Sequence, residues 1–304
     1  VDSKYVVASL EKGNKTKNIF ADNLYKDIID NSSNNSTVFN AVLQNLVDQK
    51  FPVNDDMKED AATIIKLIKS AYKSNDGDNY KDSLNQALTS AGYKNLSEYR
   101  QKMIKQIQYA NFLLDYIDDH FDDVFNDYYQ QCAPKYVSLI KISVSDTSSP
   151  TDDETSKLNE VKELISNTDK SFGDIAQDYS NDSTSSKKGS LGIVDSKDTS
   201  GIANSYGKDV FNAIEALSEG QVSDVITGDD GYYFVKVTST DKKTLKKELK
   251  KTDIDSPLLA YDDYLQYVVY NSYKINYKDK DIKKIVQEVV NKALEERKTE
   301  RGEA

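Results

Sequence analysis

The sequence predicts an α+β protein in which a compact unit of strands and helices lies between helical segments. Three observations carry this prediction. Apolar residues recur at helical spacing from Phe39 to Ile117, alternate at strand spacing after Pro134, and return to helical spacing after Lys243. The spacing of apolar residues thus changes after Pro134 and again after Lys243. This favours a helical region that is interrupted by a unit of strands and helices.

The first 133 residues predict mainly helices. A short strand at Lys4–Leu10 and a turn at Gly13-Asn14 precede a helix that begins near Ala21. Apolar stripes at helical spacing then predict several longer helices, of which the longest starts at Ser97 and carries apolar residues as far as Ile117. The acidic stretch that follows it, around His120, is typical of a solvated helix end rather than of a metal site.

The middle of the chain predicts both strands and helices. Ile140 and Ile142 alternate with Leu139 along one strand, so the two sets face opposite sides of a sheet. Thr151-Asp-Asp-Glu154 fits a capping box, in which Thr and Glu side chains satisfy the free amides at a helix start. Short helices, glycine turns and a strand that ends at Thr238 complete this unit.

The C-terminal part of the chain returns to helical periodicity. Residues Asp281–Arg297 predict an amphipathic helix, because Ile282, Ile285, Val289 and Leu294 fall on one side of it. The last seven residues, 298–304, are polar and predict a disordered tail.

Composition excludes several classes of function. The net charge is −11, which argues against nucleic acid because phosphate recognition needs clustered Lys and Arg. The only cysteine is Cys132, which excludes an internal disulfide, and the only histidine is His120, whose place at a predicted helix end argues against a histidine-dependent hydrolase. No window approaches the roughly 20 apolar residues of a membrane span. No motif for a phosphate, dinucleotide or metal is present, so no cofactor is expected.

Four motifs in the middle unit point to a known family. In chain order, they are Ile175-Ala-Gln-Asp-Tyr-Ser180, Gly189-Ser-Leu-Gly192, Leu217-Ser-Glu-Gly-Gln-Val-Ser223 and Gly231-Tyr-Tyr-Phe-Val-Lys236. Each turn glycine alone is ordinary turn chemistry, but their joint spacing resembles the parvulin family of peptidyl-prolyl isomerases. The order helical, α+β, helical further resembles the PrsA-type foldases of Gram-positive bacteria and, more distantly, SurA-like chaperones.

This resemblance implies a domain plan. Residues 1–133 and 244–297 are expected to pack together as one all-helical chaperone domain, and 298–304 to follow as the tail. Residues 134–243 are expected to form the inserted parvulin-like domain, a small antiparallel sheet with helices. The resemblance also implies partners and a location: unfolded or partly folded secreted proteins and proline-containing peptides, met outside a Gram-positive cell. Lipid anchoring through an unseen upstream segment and a homodimer are further expectations from the family.

The resemblance also places the candidate site, and there the sequence departs from the family. Parvulins usually carry two histidines on adjacent strands, and those two positions are Leu139 and Tyr233 here. Ser190 and Tyr233 are therefore the candidate catalytic residues, since both have hydroxyl groups that donate hydrogen bonds. The candidate substrate-binding residues, which would receive the proline ring, are Leu139, Val210, Phe211 and Ile214.

Three functions stay open at this point. The parvulin-like domain either retains isomerase activity through Ser190 and Tyr233, or it is an inactive part of a pure holdase. The third alternative is a surface scaffold or adhesive protein that reuses the fold. Leu139 has two interpretations as well: it lines an open cleft that holds unfolded chain, or helices cover it as core.

Overall fold

A computed structural model describes residues 5–12, 15–167, 170–250 and 254–303 of the 304-residue chain. The predicted turn at Gly13-Asn14 and the start of the predicted first strand at Lys4 lie outside the described residues. The predicted α+β class is confirmed, since helices form most of the described chain and a four-stranded antiparallel sheet lies in its middle.

The elements before the four-stranded sheet are a hairpin and six helices. They are β1 Val6–Lys12, β2 Lys15–Phe20, α1 Ala21–Ile29, α2 Asn35–Lys50, α3 Asp55–Asp76, α4 Tyr80–Ser90, α5 Leu96–Asp119 and α6 Phe121–Cys132. The sheet and its helices follow as β3 Lys135–Ser143, α7 Asp152–Ser166, α8 Phe172–Tyr179, β4 Ser190–Val194, α9 Ile202–Tyr206, α10 Lys208–Ala216, β5 Ile226–Thr227 and β6 Gly231–Ser239. The remaining helices are α11 Lys242–Leu249, α12 Leu265–Ser272 and α13 Lys280–Glu300.

Residue contacts divide the chain into two compact units. One unit comprises Val1–Tyr116 together with Asp263–Ala304, and the other comprises Ile117–Asp262. The two ends of the chain thus share the first unit, here called the helical unit, and residues 134–243 lie within the second, here called the sheet unit. The domain boundaries inferred from the sequence stay a prediction.

The helical unit has a core built by packing between distant segments. Phe39 of α2 is fully buried and stacks on Tyr267 of α12, with ring centroids 4.9 Å apart. A second cluster joins α3 to α5 through Met57, Ala61, Ile65, Met103, Ile104 and Ile107. These residues recur at three- and four-residue spacing on each helix, so each helix presents one apolar stripe to the other.

Two helical predictions near element ends were wrong. The sequence predicts at most one helical turn after His120, at Phe125–Tyr129, whereas the structure has a helix of 12 residues, α6, whose buried face includes Phe125 and Tyr128. The tail predicted to be disordered from residue 298 is helical as far as Glu300. Two contacts stabilise this last turn: Lys298 Nζ lies 2.9 Å from Glu295 Oε1, and the Tyr264 hydroxyl donates to Glu300 over 2.7 Å.

The sheet of the second unit has strand order β4-β3-β6-β5, with every neighbouring pair antiparallel. Each face of β3 is buried in a separate apolar cluster. Val137 and Leu139 belong to a cluster that α9 and α10 cover. Ile140 and Ile142 belong to a cluster that α7 and α8 cover. The capping box predicted at the start of α7 is present, with the Thr151 side chain accepting from Glu154 N.

A membrane-spanning helix needs about 20 consecutive apolar residues. Within the described ranges, every helix falls short of the length and apolarity that crossing a bilayer requires.

Candidate functional site

The candidate site lies where β3 and β6 run side by side on the face covered by α9 and α10. Lys141 on β3 is the ladder partner of Tyr233 on β6, and both strands are buried on this face. Because directly paired residues of antiparallel strands point to the same side of the sheet, Lys141 and Tyr233 share this face with Leu139. The Lys141 ammonium lies 5.6 Å from the centroid of the Tyr233 ring.

A carboxylate joins these two side chains. Asp230, in the turn before β6, accepts a hydrogen bond from the Tyr233 hydroxyl on Oδ1 and pairs with the Lys141 ammonium through Oδ2. Lys141 and then Tyr233 hold the pKa of Asp230 below its ordinary value, because each donates to the ionised carboxylate. Burial first, and then Asp230, raises the pKa of Tyr233, so its hydroxyl stays protonated at neutral pH.

A second tyrosine completes the polar wall of the site. The Tyr206 ring stands edge-on to the Tyr233 ring, with centroids 6.2 Å apart. The Tyr206 hydroxyl donates to Asp182 Oδ1 over 3.4 Å, and the same oxygen accepts from the backbone and side chain of Thr184. Burial, followed by the charge of Asp182 and this hydrogen bond, raises the pKa of Tyr206 to about 12.

Tyr206, Asp230 and Tyr233 line a cavity of about 560 Å³. Tyr206 and Val210 form part of one wall, and Ile226 with Tyr233 forms part of another. Gly228 makes room for the Tyr233 ring, since a Cβ at residue 228 would lie 2.7 Å from Tyr233 Cε2. The cavity thus combines two rings and a few aliphatic groups with a mainly polar lining that includes Lys208 and Asp209, which suits a short peptide segment with both apolar and polar groups.

The predicted substrate-binding residues separate into two groups. Val210 lines the cavity, although only 1% of its surface is exposed. Leu139 and Ile214 are fully buried in the apolar cluster beneath it, and Phe211 is half-buried against the same cluster. The interpretation of Leu139 as the lining of an open cleft was wrong, because α9 and α10 cover this side of β3.

The two predicted catalytic residues lie on opposite faces of the sheet. Ser190 pairs with Ser138 across the ladder, and its hydroxyl donates to the Tyr136 hydroxyl over 2.9 Å. Tyr136 and Ser138 alternate with Leu139 along β3, whereas Tyr233 shares the Leu139 face. The structure therefore brings Tyr233, but not Ser190, to the cavity, and the catalytic roles of both residues stay predictions.

Sequence reasoning missed most of the polar groups that line the cavity or contact its lining residues. Lys141, Asp182, Tyr206 and Asp230 come from four separate segments, and only the fold brings them together. One signal was available: period-two alternation places Lys141 on the same face as Val137 and Leu139, where a lysine needs a partner. Across the described ranges, no three His, Cys, Asp or Glu residues converge as ligands for a metal ion.

Comparison with known proteins shows which family the chain resembles. The model of the rotamase family, described as the PPIC-type PPIase domain, matches residues 139–239. Foldase protein PrsA of Staphylococcus epidermidis, strain ATCC 35984, is 28% identical over 267 residues, which are 84% of this chain and 75% of that protein. The chain is similar to the PrsA-type foldases and contains a stretch that matches the parvulin-type domain. The resemblance stated from the motifs is therefore confirmed.

Other PrsA-type foldases match over shorter or more divergent ranges. PrsA of Staphylococcus aureus, strain bovine RF122, is 32% identical over 141 residues, which are 44% of this chain and 41% of that protein. Among solved structures, PrsA of Bacillus subtilis is 22% identical and covers 94% of this chain and 99% of its own, with a TM-score of 0.40. PrsA of Streptococcus pneumoniae is 19% identical, with 92% and 99% covered and a TM-score of 0.41.

Proposed function

We propose that this chain is an extracytoplasmic foldase whose sheet unit isomerises X-Pro bonds in unfolded exported proteins. The observation that carries the proposal is the cavity beside Tyr206 and Tyr233, where two protonated hydroxyls and the edge of an apolar cluster meet in a largely polar lining. Similarity to the PrsA-type foldases supports the substrate class, namely secreted proteins and proline-containing peptides. A place on the outer face of a Gram-positive cell membrane, reached through an upstream lipid anchor, and a homodimer belong to the same proposal.

The chemistry demands little of the site. Rotation about an X-Pro bond has a barrier of about 20 kcal/mol, and no covalent bond is made or broken. The twisted amide has lost its resonance, so its nitrogen is more basic than in either planar form. A site lowers the barrier if it binds that twisted form more tightly than the planar forms. A partly apolar cavity with one suitably placed donor meets this requirement.

Tyr233 is the proposed donor, and Asp230 and Lys141 are its positioning residues. The hydroxyl has one proton, which it shares with Asp230 in the free protein. When a prolyl segment enters the cavity, the hydroxyl rotates toward the amide and gives up its bond to Asp230. Lys141 remains paired with the other oxygen of that carboxylate, so Asp230 is not left without a partner.

The test is the cis-to-trans exchange rate of short X-Pro peptides, measured by NMR with the full chain present. We expect acceleration that is proportional to enzyme concentration for at least part of a panel in which X is varied. If no peptide is accelerated, the isomerase proposal fails.

The pH dependence of this activity is a separate prediction. The titratable residues that line the cavity are three aspartates, one lysine and two tyrosines, and none is a His or Cys. The pKa of Asp230 is lowered and the pKa of Tyr206 is raised to about 12, so neither changes charge between about pH 5.5 and 9. We expect the rate to be flat across this window and to fall only in acid, when Asp230 gains a proton. A step near pH 6.5 would contradict the prediction.

A pure holdase is the second candidate function, and the burial of Leu139 favours it. This position usually carries a histidine in parvulins, and here it offers no hydrogen-bond donor and lies wholly within the core. The holdase candidate predicts suppression of client aggregation at equimolar ratio, without any effect on proline-limited refolding. Absence of both activities would leave the surface scaffold as the remaining alternative.

A further inference from the structure

A groove on the helical unit lies between α3 and the first turn of α5. Its volume is about 430 Å³. Ile65 and Leu96 form an apolar floor that continues into the core joining these two helices, and Ala62 lines the same groove with its small side chain exposed. The groove is wide enough for one or two apolar side chains of an extended peptide.

The rim of this groove is cationic. Lys66, Lys69 and Arg100 line it, and all three are exposed. In the described part of the chain, neither lysine forms an ion pair, and the guanidinium of Arg100 makes one long hydrogen bond, 3.4 Å to the carbonyl of Lys58. Residues 61–75 hold three lysines and no acidic residue, although the whole chain has a net charge of −11. The positive rim is therefore a local departure from the charge of the protein.

We propose that this groove binds an extended segment of an unfolded polypeptide in which apolar side chains are flanked by acidic residues. The apolar side chains would cover Ile65 and Leu96, and the carboxylates would pair with Lys66, Lys69 and Arg100. The proposal deepens the foldase function, on which it rests, because it names the chemistry of the client segment that the helical unit selects. It requires no proline.

Charge and shape together favour this occupant. A simple anion would leave the apolar floor of the groove uncovered. A basic segment would be repelled by the positive charges of Lys66, Lys69 and Arg100. Burial of an apolar side chain contributes about 1.5–3 kcal/mol, and exposed ion pairs add less but discriminate between segments of opposite charge. The apolar floor thus supplies affinity, and the cationic rim supplies selectivity.

The experiment uses the full chain and three fluorescein-labelled peptides without proline. Each peptide has the same central Leu-Phe-Leu sequence, flanked by aspartates, by serines or by lysines. Fluorescence anisotropy gives the dissociation constants at low and high salt. We expect the aspartate-flanked peptide to bind about tenfold more tightly than the lysine-flanked one, with the difference shrinking at high salt.

Charge-reversal variants test whether the groove is responsible. In the double variant Lys66→Glu/Lys69→Glu, the preference for aspartate-flanked peptide should disappear or reverse. The matched control, Lys280→Glu/Lys283→Glu, makes the same charge change at the same spacing on exposed positions of α13 and should keep the preference. Arg100→Glu provides an independent test on the other side of the groove.

Each outcome decides the proposal. Equal binding of the aspartate- and lysine-flanked peptides by the unaltered chain would overturn it, as would a preference that survives both groove variants. Loss of preference in the α13 control would also overturn it, since the effect would then come from net charge. None of these results bears on the X-Pro exchange assay, so a failed groove and a failed isomerase are distinguishable.

Discussion

The substitution Gly189→Ala is expected to destabilise the sheet unit by about 3 kcal/mol or more. Gly189 has φ +75°, a conformation that costs an L-residue about 1–2 kcal/mol. A Cβ at this position would also lie 2.4 Å from Leu139 O and 2.8 Å from the Cβ of Ala176. Neither neighbour is the end of a flexible side chain, so the clash can only be relieved by moving β3 or α8.

Movement of β3 would also weaken a specific bond. Leu139 N donates to Gly189 O over 2.8 Å, and this bond joins the start of the Gly189-Ser-Leu-Gly192 turn to the centre of the sheet. Hydrogen exchange in the full chain measures the effect directly, because the amides of β3 and β6 report the opening of this sheet. A loss of about 3 kcal/mol corresponds to roughly 100-fold faster exchange.

Gly192→Ala is the matched control for this prediction. Gly192 ends the same motif with φ +80°, but a Cβ at this position would have no neighbouring atom within 4 Å. The substitution should therefore lower the free energy of unfolding only by the cost of placing an L-residue at positive φ, about 1–2 kcal/mol. Equal destabilisation by the two substitutions would show that close approach of the backbone at Gly189 is not what the sheet requires.

The contrast between these two glycines shows what the sequence was able to predict. The spacing of residues identified the Gly189-Ser-Leu-Gly192 motif, the alternation along β3 and the capping box at Thr151. Each of these is a pattern among residues that are close together in the sequence. The spacing did not distinguish Gly189 from Gly192, since the difference lies in Leu139 and Ala176, which belong to other segments. Contacts between segments far apart in the chain follow from the fold, and one sequence does not encode them as a pattern.

The same limit explains the candidate site. The replacement of the usual histidines by Leu139 and Tyr233 was visible from aligned motifs. The pairing of Tyr206 with Asp182 was not visible, because α9 and the turn after α8 meet only when the sheet has formed. The face that Ser190 takes was not visible for a related reason, because the register shift between β3 and β4 decides it.

Tyr233→Phe is expected to lower the rate of X-Pro exchange at saturating and subsaturating peptide by at least about tenfold. The substitution removes one hydroxyl and keeps the ring that packs against Tyr206 and Gly228, so the cavity retains its shape. It also leaves Asp230 paired with Lys141, which limits any change in stability. A fall in rate without a change in folding would therefore assign the lost catalysis to the hydroxyl itself.

Two controls separate this role from general damage to the sheet. Tyr232→Phe removes a hydroxyl from the adjacent residue of β6, whose ring packs on the opposite face and whose contact with Thr147 O is long, at 3.5 Å. Ser190→Ala removes the other candidate hydroxyl, which also lies away from the cavity. Both variants should keep the exchange rate within about twofold, because neither hydroxyl reaches a bound prolyl segment.

If Ser190→Ala instead matches the loss in Tyr233→Phe, catalysis does not take place in the cavity beside Tyr206. If all three variants keep the full rate, none of these hydroxyls is the donor, and the proposed role of Tyr233 fails.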